Sequence, residues 1–410
     1  MREPMSHVEE KAVPAGAFLT PLWSHVFRGW ADRIVAGQLT IQFPDGTSHV
    51  VRGPLPGPCA NLNLRNGRLL WRMAGGGSLG LARGYIEGDW DTTDLSALLE
   101  LGLVNEQALH SLLDAPGLGR LLAYLRHRRR ANTRAGSKRN IAFHYDLGND
   151  FYREWLDETM TYSSAIFAHP EQSLAEAQLE KYARVVRELG LGADDHVLEI
   201  GCGWGGFAEF AARETGCRIT CLTLSREQAR FARDRIAAAG LAERVEIRLE
   251  DYRDCAGQFD KIVSIEMFEA VGEENWPTYF TALRTLLRPG GRALLQVITI
   301  AEASFEEYRR KADFIQTYIF PGGMLPSRTA FAAAASAQKL HLVSSQFFGR
   351  DYEKTLQIWD TTFSAAWHRI QAHGFDARFR RMWHYYLQYC AIGFRAGKID
   401  VGQFLLQRPG

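Results

Sequence analysis

The chain has 410 residues, 46% hydrophobic and 23% charged. At roughly 100–200 residues per domain that is material for two or three packed domains, which excludes a disordered chain and a small disulfide scaffold. The 48 Lys plus Arg against 47 Asp plus Glu leave a formal charge of +1, so no global field draws nucleic acid or an anionic surface, and any such attraction must be local.

The opening stretch MREPMSHVEEKAVPAG carries acids and a proline where a signal peptide needs a positive start and an apolar run. No window reaches 18 uninterrupted apolar residues. A cytoplasmic protein that meets lipid from the water side is therefore expected. From Gln38 to Met73 short alternating runs (QLTIQF, SHVV, CANLNL, RLLWRM) broken by PDG, GPLPGP and NG predict a small antiparallel sheet with tight turns. A glycine-rich bend at Gly75 to Gly77 then leads into SLGLARGYIEGDWD and LSALLELGLV, predicted helices packed on that sheet. Residues 1–125 are assigned to this amino-terminal α+β domain. Seven basic residues (Arg126, Arg128, Arg129, Arg130, Arg134, Lys138 and Arg139), with no acid among them, mark 126–139 as a basic linker. It is either a solvated connection or a docking patch for anionic headgroups.

Residues 140–410 form the second predicted domain. From Ala193 strands and helices alternate: HVLEI, a helix from Gly205, RITCLTL, a helix from Ser225, RVEIRLE, FDKIVSIE, a helix over Tyr279 to Leu287, then RALLQVITI. Such alternation predicts a mostly parallel sheet covered on both faces, and further strands are expected near Leu342 to Phe347 and Val401 to Leu406. The six cysteines are scattered, without a repeated CxxC or a Cys/His cluster, which argues against a zinc site and an extracellular disulfide framework. Cys217 and Cys221 read as core residues, and Cys390 as a packed, inert thiol.

Glu199-Ile-Gly201-Cys-Gly203-Trp-Gly205-Gly206 follows a predicted strand and opens a helix, where glycines let the backbone approach a nucleotide-like cofactor. The letters also satisfy GxGxxG, so an NAD(P) or flavin oxidoreductase competes with a methyltransferase. A dinucleotide site usually places its ribose-binding acid about 20 residues on, at the end of the second strand. Here that strand ends in Thr223-Leu224-Ser225-Arg226 and the acid, Glu199, precedes the glycines. This placement is similar to that in S-adenosylmethionine-dependent methyltransferases. Thr223, Leu224 and Gln228 are candidate cofactor contacts, with Gln228 equally readable as half of a capping box with Ser225. Asp251 and Tyr252, after the third strand, offer an acceptor and an aromatic face to adenine, or else a loop acid and a packed ring.

His144-Tyr-Asp-Leu-Gly-Asn-Asp-Phe-Tyr152, followed by Met160-Thr-Tyr162-Ser163-Ser164-Ala165, resembles the start of the catalytic domain in the cyclopropane-fatty-acyl-phospholipid synthase family, which includes the mycolic acid cyclopropane synthases. The resemblance continues through LEIGCGWGG, LTLSREQ, EDYRD, SIEMFEAVG, IFPGGMLPS, DYEKTLQIW and YCAIGFRAGKIDVGQF, covering Asn140 to Gln407. GYIEGDWD is similar to the segment that precedes this domain in longer bacterial members. What the resemblance implies is a class I methyltransferase fold, Rossmann-like, with a mostly parallel seven-stranded sheet and helical insertions covering the substrate. It implies methyl(ene) transfer from S-adenosylmethionine to the double bond of an unsaturated acyl chain in membrane phospholipid, with Tyr162 and Ser163 joining the cofactor contacts. Peripheral contact with an anionic membrane at its inner face, a homodimer and no nucleic acid complete the expectation.

An alkene is a poor nucleophile, and its methylation leaves a carbocation on the chain. The site must exclude water, align the alkene and tolerate positive charge, a task suited to aromatic faces such as Tyr162, Phe268, Tyr318 and Tyr352. In the family a bound bicarbonate takes the ring-closing proton, held by a cysteine, a glutamate, a histidine and a tyrosine. By motif these fall on Ser164, Glu269, Gln296 and Tyr352, two of which depart in type. Either bicarbonate is retained in altered geometry, since Ser164 and Gln296 still donate hydrogen bonds, or the base is displaced and a methyl-branched or methylene chain replaces the cyclopropane. A third reading, a non-catalytic lipid carrier, rests on the same two departures. The apolar, aromatic segment from Ala301 to Leu325 is expected to cover an acyl tunnel.

Overall fold

The computed structural model describes residues 20–113 and 147–410, so the basic linker at 126–139 and His144 to Asp146 lie outside the described residues. Two compact units divide the chain, Met1–Gly119 and Arg120–Gly410.

In the first unit, β1 (Ala36–Gln42) and β2 (Ser48–Arg52) form an antiparallel hairpin closed by Phe43 and Thr47 around Asp45-Gly46. β3 (Leu55–Leu64) lies on the other side of β1 and runs parallel to it, and β4 (Trp90–Asp91) ends the order β2-β1-β3-β4. The sheet is thus mixed, not wholly antiparallel. Gly53 and Pro54 carry the chain beneath the start of β1, with Gly53 N donating to Gly37 O and Leu55 N to Val35 O. RLLWRM is not a strand: it opens the helix Arg68–Ile86. Its Leu69 and Met73, four residues apart, are buried on one side while Trp71 faces out, a period-3.6 pattern that six residues read alone cannot separate from alternation. Gly77, at φ 54° and ψ −128°, kinks this helix, and a Cβ on Gly80 would lie 2.0 Å from the Arg72 carbonyl oxygen, so only glycines allow the chain to double back there.

Asp89, fully buried, fastens that helix: its carboxylate meets Arg68 Nε at 2.9 Å and Arg72 Nε at 2.5 Å, and accepts from Asn66 Nδ2 at 3.2 Å. Removing one partner of a buried ion pair strands the others, although Arg68 can turn into solvent. Asp89→Ala is expected to cost about 2 kcal/mol, visible as an earlier melting step assigned to the first unit by calorimetry.

The second unit holds a seven-stranded sheet ordered β10-β11-β9-β8-β5-β6-β7, comprising β5 (His196–Ile200), β6 (Arg218–Thr223), β7 (Val245–Leu249), β8 (Phe259–Ile265), β9 (Leu287–Ile300), β10 (His341–Phe347) and β11 (Ile399–Gln407). β5 to β9 pair in parallel; β11 is antiparallel to both β9 and β10. Near-continuous apolar runs such as VLEI and ITCLT suit strands covered on both faces. One face carries the helices Leu174–Leu189, Gly206–Thr215 and Arg226–Ala238, whose Val185, Phe207 and Ala232 pack with Val197, Ile219 and Val263. The other carries Trp276–Leu286 and Arg328–Ala337, where Phe280 and Phe331 pack with Leu198, Leu295 and Phe404. Cys217 and Cys221 belong to the first of these cores, as expected, and all six cysteines are unbridged. No helix among the described residues is long and apolar enough to cross a membrane.

Candidate active site

Parallel strands of this order bring their carboxyl ends to one edge, where the polar residues of the motifs gather. β5 ends in the glycine loop. Gly201, Gly203 and Gly205 have φ of 86°, 54° and 82°, and a Cβ on Gly201 would lie 2.9 Å from Met267 Cγ. The loop therefore lies close against the turn after β8. Glu199, buried in β5, has as its neighbour Cys221 of β6, whose Sγ donates to Glu199 Oε2 at 3.4 Å. Burial pushes the Glu199 carboxyl up to about 7. Past β6, Ser225 Oγ accepts from Gln228 N at 3.2 Å, which is half of the capping box. The other half is missing: the Gln228 side-chain oxygen takes the Thr223 hydroxyl at 3.0 Å. Leu224, half-buried, lies between them. After β7, Asp251 is clasped by Arg253, Nε to Oδ1 at 2.9 Å and Nη2 to Oδ2 at 2.6 Å, while Tyr252 packs edge-on against Tyr279 with centroids 5.2 Å apart.

The end of β8 holds the most densely bonded carboxylate of the site. Glu266 Oε1 accepts from Ser164 N and from Gln296 Nε2, both at 2.8 Å, and Oε2 accepts from the Tyr352 hydroxyl at 2.6 Å. Three of the four motif positions expected to hold an anion, Ser164, Gln296 and Tyr352, thus converge on a side chain of the protein. The fourth position, Glu269, is not among them: its Oε1 accepts from Ile298 N at 2.6 Å, and its Oε2 is buried with no hydrogen-bond partner. Glu266 has φ 50°, a left-handed conformation that strains a side chain with a Cβ by about 1–3 kcal/mol and persists where the surroundings enforce it. Burial raises the Glu266 carboxyl above its ordinary value, against the Tyr352, Lys181, Gln296 and Ser164 contacts that favour its charge. Burial, followed by the charge of Glu266, pushes Glu269 up to about 8. At neutral pH Glu269 keeps its proton. The donor set that bicarbonate would need is spent on Glu266, so the residues present do not fit a bound bicarbonate.

Supports lie behind this cluster. Gln403 Nε2 donates to Gln296 Oε1 at 3.1 Å, which fixes the amide so that its nitrogen faces Glu266. Ser164 uses its backbone N–H, since its hydroxyl donates to Ala165 O at 2.9 Å. Ser163 is held by Lys181 Nζ, 2.6 Å from its hydroxyl, and by Gln178 Nε2, 2.9 Å from its carbonyl.

Aromatic rings gather around Tyr162 and Tyr352. Tyr162 packs on Tyr152 (5.5 Å), Trp155 (5.5 Å) and Trp359 (5.3 Å), and its hydroxyl meets that of Tyr386 at 2.7 Å. Tyr352 packs on Phe394 at 4.5 Å and Trp359 at 6.1 Å. Two candidate rings lie elsewhere. Phe268 points into the core among Trp276, Tyr279, Phe280 and Phe331, and Tyr318 stacks on Phe314 in the π-helical turn Ile315–Ile319. The segment from Ala301 to Leu325 reaches the site at both flanks, Met324 N donating to Glu269 O at 2.8 Å and Phe320 lying 6.3 Å from Tyr386. Cys390 is held neutral by burial, as expected of an inert thiol.

Glu266, Lys181, Gln403, Trp359 and Tyr386 are additions to the residues expected from sequence. For Glu266 the one available signal is SIEMFEAVG itself, which has two glutamates three apart.

The sheet order, the glycine turn after β5 and the absence of an acid at the end of β6 define a class I S-adenosylmethionine-dependent methyltransferase. The profile of one such family, mycolic acid cyclopropane synthetase, matches residues 132–404, and the chain belongs to that family. It is 40% identical to the tuberculostearic acid methyltransferase of Mycobacterium tuberculosis, over 91% of this chain and 88% of that one. It is 37% identical to the cyclopropane-fatty-acyl-phospholipid synthase of Escherichia coli, over 85% and 88% of the two chains. Among solved structures, the mycolic acid cyclopropane synthase CmaA1 in complex with SAH and CTAB superposes with a TM-score of 0.62 and 32% identity, covering 66% of this chain and 98% of that one. The dinucleotide oxidoreductase and lipid-carrier readings find no support in these relatives.

Proposed function

We propose that this enzyme methylates the double bond of an unsaturated acyl chain in membrane phospholipid, with Glu266 as its built-in base, and that the product is a methyl-branched unsaturated or methylene chain, not a cyclopropane. The observation that carries the proposal is the convergence of Ser164 N, Gln296 Nε2 and Tyr352 OH on the Glu266 carboxylate. S-adenosylmethionine supplies an electrophilic methyl group whose bonding electrons stay with sulfur.

The protein's part follows from its own groups. The rings of Tyr162 and Tyr352, with Trp359 packed against both, face the developing chain cation and stabilise it at their π surfaces. Their packing also excludes the water that would trap it. Glu266 takes a proton from a chain carbon beside the cation, giving a methyl-branched alkene, or, after a 1,2-hydride shift has moved the cation to the methyl-bearing carbon, from the methyl itself, giving a methylene. In both cases the C–H electrons form the new double bond. A carboxylate tethered at the end of β8, with donors on both oxygens, is fixed in place. It takes a proton within its reach and leaves an alkene in place of a ring. The 40% identity with a tuberculostearic acid methyltransferase, over 91% of this chain, supports a branched product. A phospholipid substrate is supported by the Escherichia coli relative and by the amino-terminal unit both chains include. We assign the enzyme to the cytoplasmic face of an anionic membrane, with the seven basic residues of 126–139 as its electrostatic anchor and a homodimer as its working form.

Lipids from a host without its own lipid methyltransferase, expressing this chain, test the reading by mass spectrometry and NMR. A vinylic methyl or a chain methylene (C=CH2) signal is the expected outcome, and a cyclopropane ring as sole product overturns it.

For the cofactor, Glu199 is the acid at the loop, joined by Tyr162, Ser163, Thr223, Leu224, Gln228, Asp251 and Tyr252. Glu199 is neutral below about 7 and charged above it. A cationic cofactor prefers the carboxylate, so affinity for S-adenosylmethionine is expected to rise as pH rises through about 7. Calorimetric titration across that range checks this, and in Glu199→Gln the pH dependence should flatten.

A further inference from the structure

Lys181 lies in the helix Leu174–Leu189 with no solvent exposure. Its hydrogen-bond partner among the described residues is the Ser163 hydroxyl, 2.6 Å from Nζ, and its ammonium lies 5.0 Å from the ring centre of Tyr182. A lysine taken wholly out of water is expensive and rare unless charges nearby compensate it. Two carboxylates act on this one, Glu266 and, at the edge of the site, Asp157. Seen from Glu266, the charged and titratable neighbours are Tyr352, Lys181 and Glu269, and Lys181 is the cation among them. A mechanical link runs in parallel. Gln178 and Lys181, on one face of the helix, both hold Ser163, and the next residue, Ser164, donates its N–H to Glu266.

We propose that Lys181 is a positioning residue whose ammonium provides the counter-charge that keeps Glu266 ionised, and so able to accept a proton, before methyl transfer. This rests on the reading of Glu266 as the base. Burial raises the Glu266 carboxyl and so weakens it as a base at a given pH, while the Lys181 charge acts the other way. A cation held on the Ser163 hydroxyl favours the charged form of Glu266 without bonding to the carboxylate oxygens, whose hydrogen bonds come from Ser164, Gln296 and Tyr352. The arrangement is reciprocal: burial draws Lys181 down to about 7, while Glu266 and Asp157 hold it up. The two groups therefore titrate as a pair.

The test is an NMR titration of the full-length protein carrying 13C at the lysine side chains, of which there are eight. One signal, absent from Lys181→Met, should titrate near 7, and in Glu266→Gln its midpoint should fall by about one pH unit or more because the compensating charge is gone. In Lys181→Met the acid limb of the kcat profile should move up by about one pH unit. Should Lys181→Met fail to fold, the comparison of wild type with Glu266→Gln still decides. The proposal is overturned if all eight signals titrate in the ordinary lysine range, or if the near-neutral midpoint is the same in Glu266→Gln. The two readings separate cleanly. A coupled lysine with an active Glu266→Gln removes Glu266 as base and leaves the pairing standing, whereas an uncoupled lysine with an inactive Glu266→Gln does the reverse.

Discussion

Glu266→Gln lowers kcat by about 10²–10⁴-fold, the range a positioned general base contributes. The amide preserves the shape of the side chain, and its oxygen can still accept from Ser164 N or Tyr352, so the fold around the end of β8 stays intact. What is lost is the ability to hold a proton. Affinity for S-adenosylmethionine should stay within about twofold, because the loop residues from Gly201 to Gly206 are untouched. The wild-type pH profile should fall off on the acid side. Burial raises the Glu266 carboxyl, so protonation, and with it loss of turnover, sets in at a higher pH than for an exposed carboxylate. Above that limb the base is ionised and the rate levels off. Single-turnover measurement of S-adenosylhomocysteine release across pH, for both forms, reads all of this.

Trp359→Ala is expected to cost about 3–5 kcal/mol of stability, as for other fully buried tryptophans cut to alanine. Trp359 is 0% exposed in the helix Gly349–Ala372, with Trp155 at 5.7 Å, Tyr162 at 5.3 Å and Tyr352 at 6.1 Å from its ring. It is the common neighbour of the two tyrosines proposed to face the chain cation. Its removal therefore opens a cavity beside both, and water entering there would meet the cation. Denaturant titration should give the stability loss. Turnover measured at a temperature where the variant is still folded should fall as well, with alcohol products appearing where water traps the cation.

Much of this architecture was legible in the sequence because the second unit repeats simple signals. Apolar runs such as HVLEI and RITCLTL between glycine turns and helix starts can hardly pack except as a parallel sheet covered on both faces. The amino-terminal unit was harder. RLLWRM places Leu69 and Met73 where six residues fit either period, and the parallel pairing of β3 with β1 depends on a crossing at Gly53-Pro54 that no local pattern announces. In the site, Ser164, Gln296 and Tyr352 were found from motif position. By the same motif Glu269 stands with them as a fourth holder of a bound anion, whereas in the structure the three meet on Glu266. Glu266 makes these contacts from a left-handed backbone, φ 50°. Propensity argues against such an angle for a glutamate, and tertiary contacts override it. Lys181 escaped notice for a related reason. In LAEAQLEKYARVVREL it reads as one charge on an amphipathic surface, whereas in the fold it is buried with its ammonium on the Ser163 hydroxyl.

Glu266 is proposed to occupy the seat of an exchangeable base. The φ of 50° is one that glycine adopts without strain, so Glu266→Gly should fold, leaving Ser164 N, Gln296 Nε2 and Tyr352 OH without their acceptor. Turnover of Glu266→Gly should be measured with and without added bicarbonate or formate. The prediction is an inactive enzyme that regains activity with a saturable dependence on the small anion, while Glu266→Gln, whose side chain still fills the seat, does not. Full activity without added anion, or none at any concentration in a variant that binds S-adenosylmethionine normally, would contradict it.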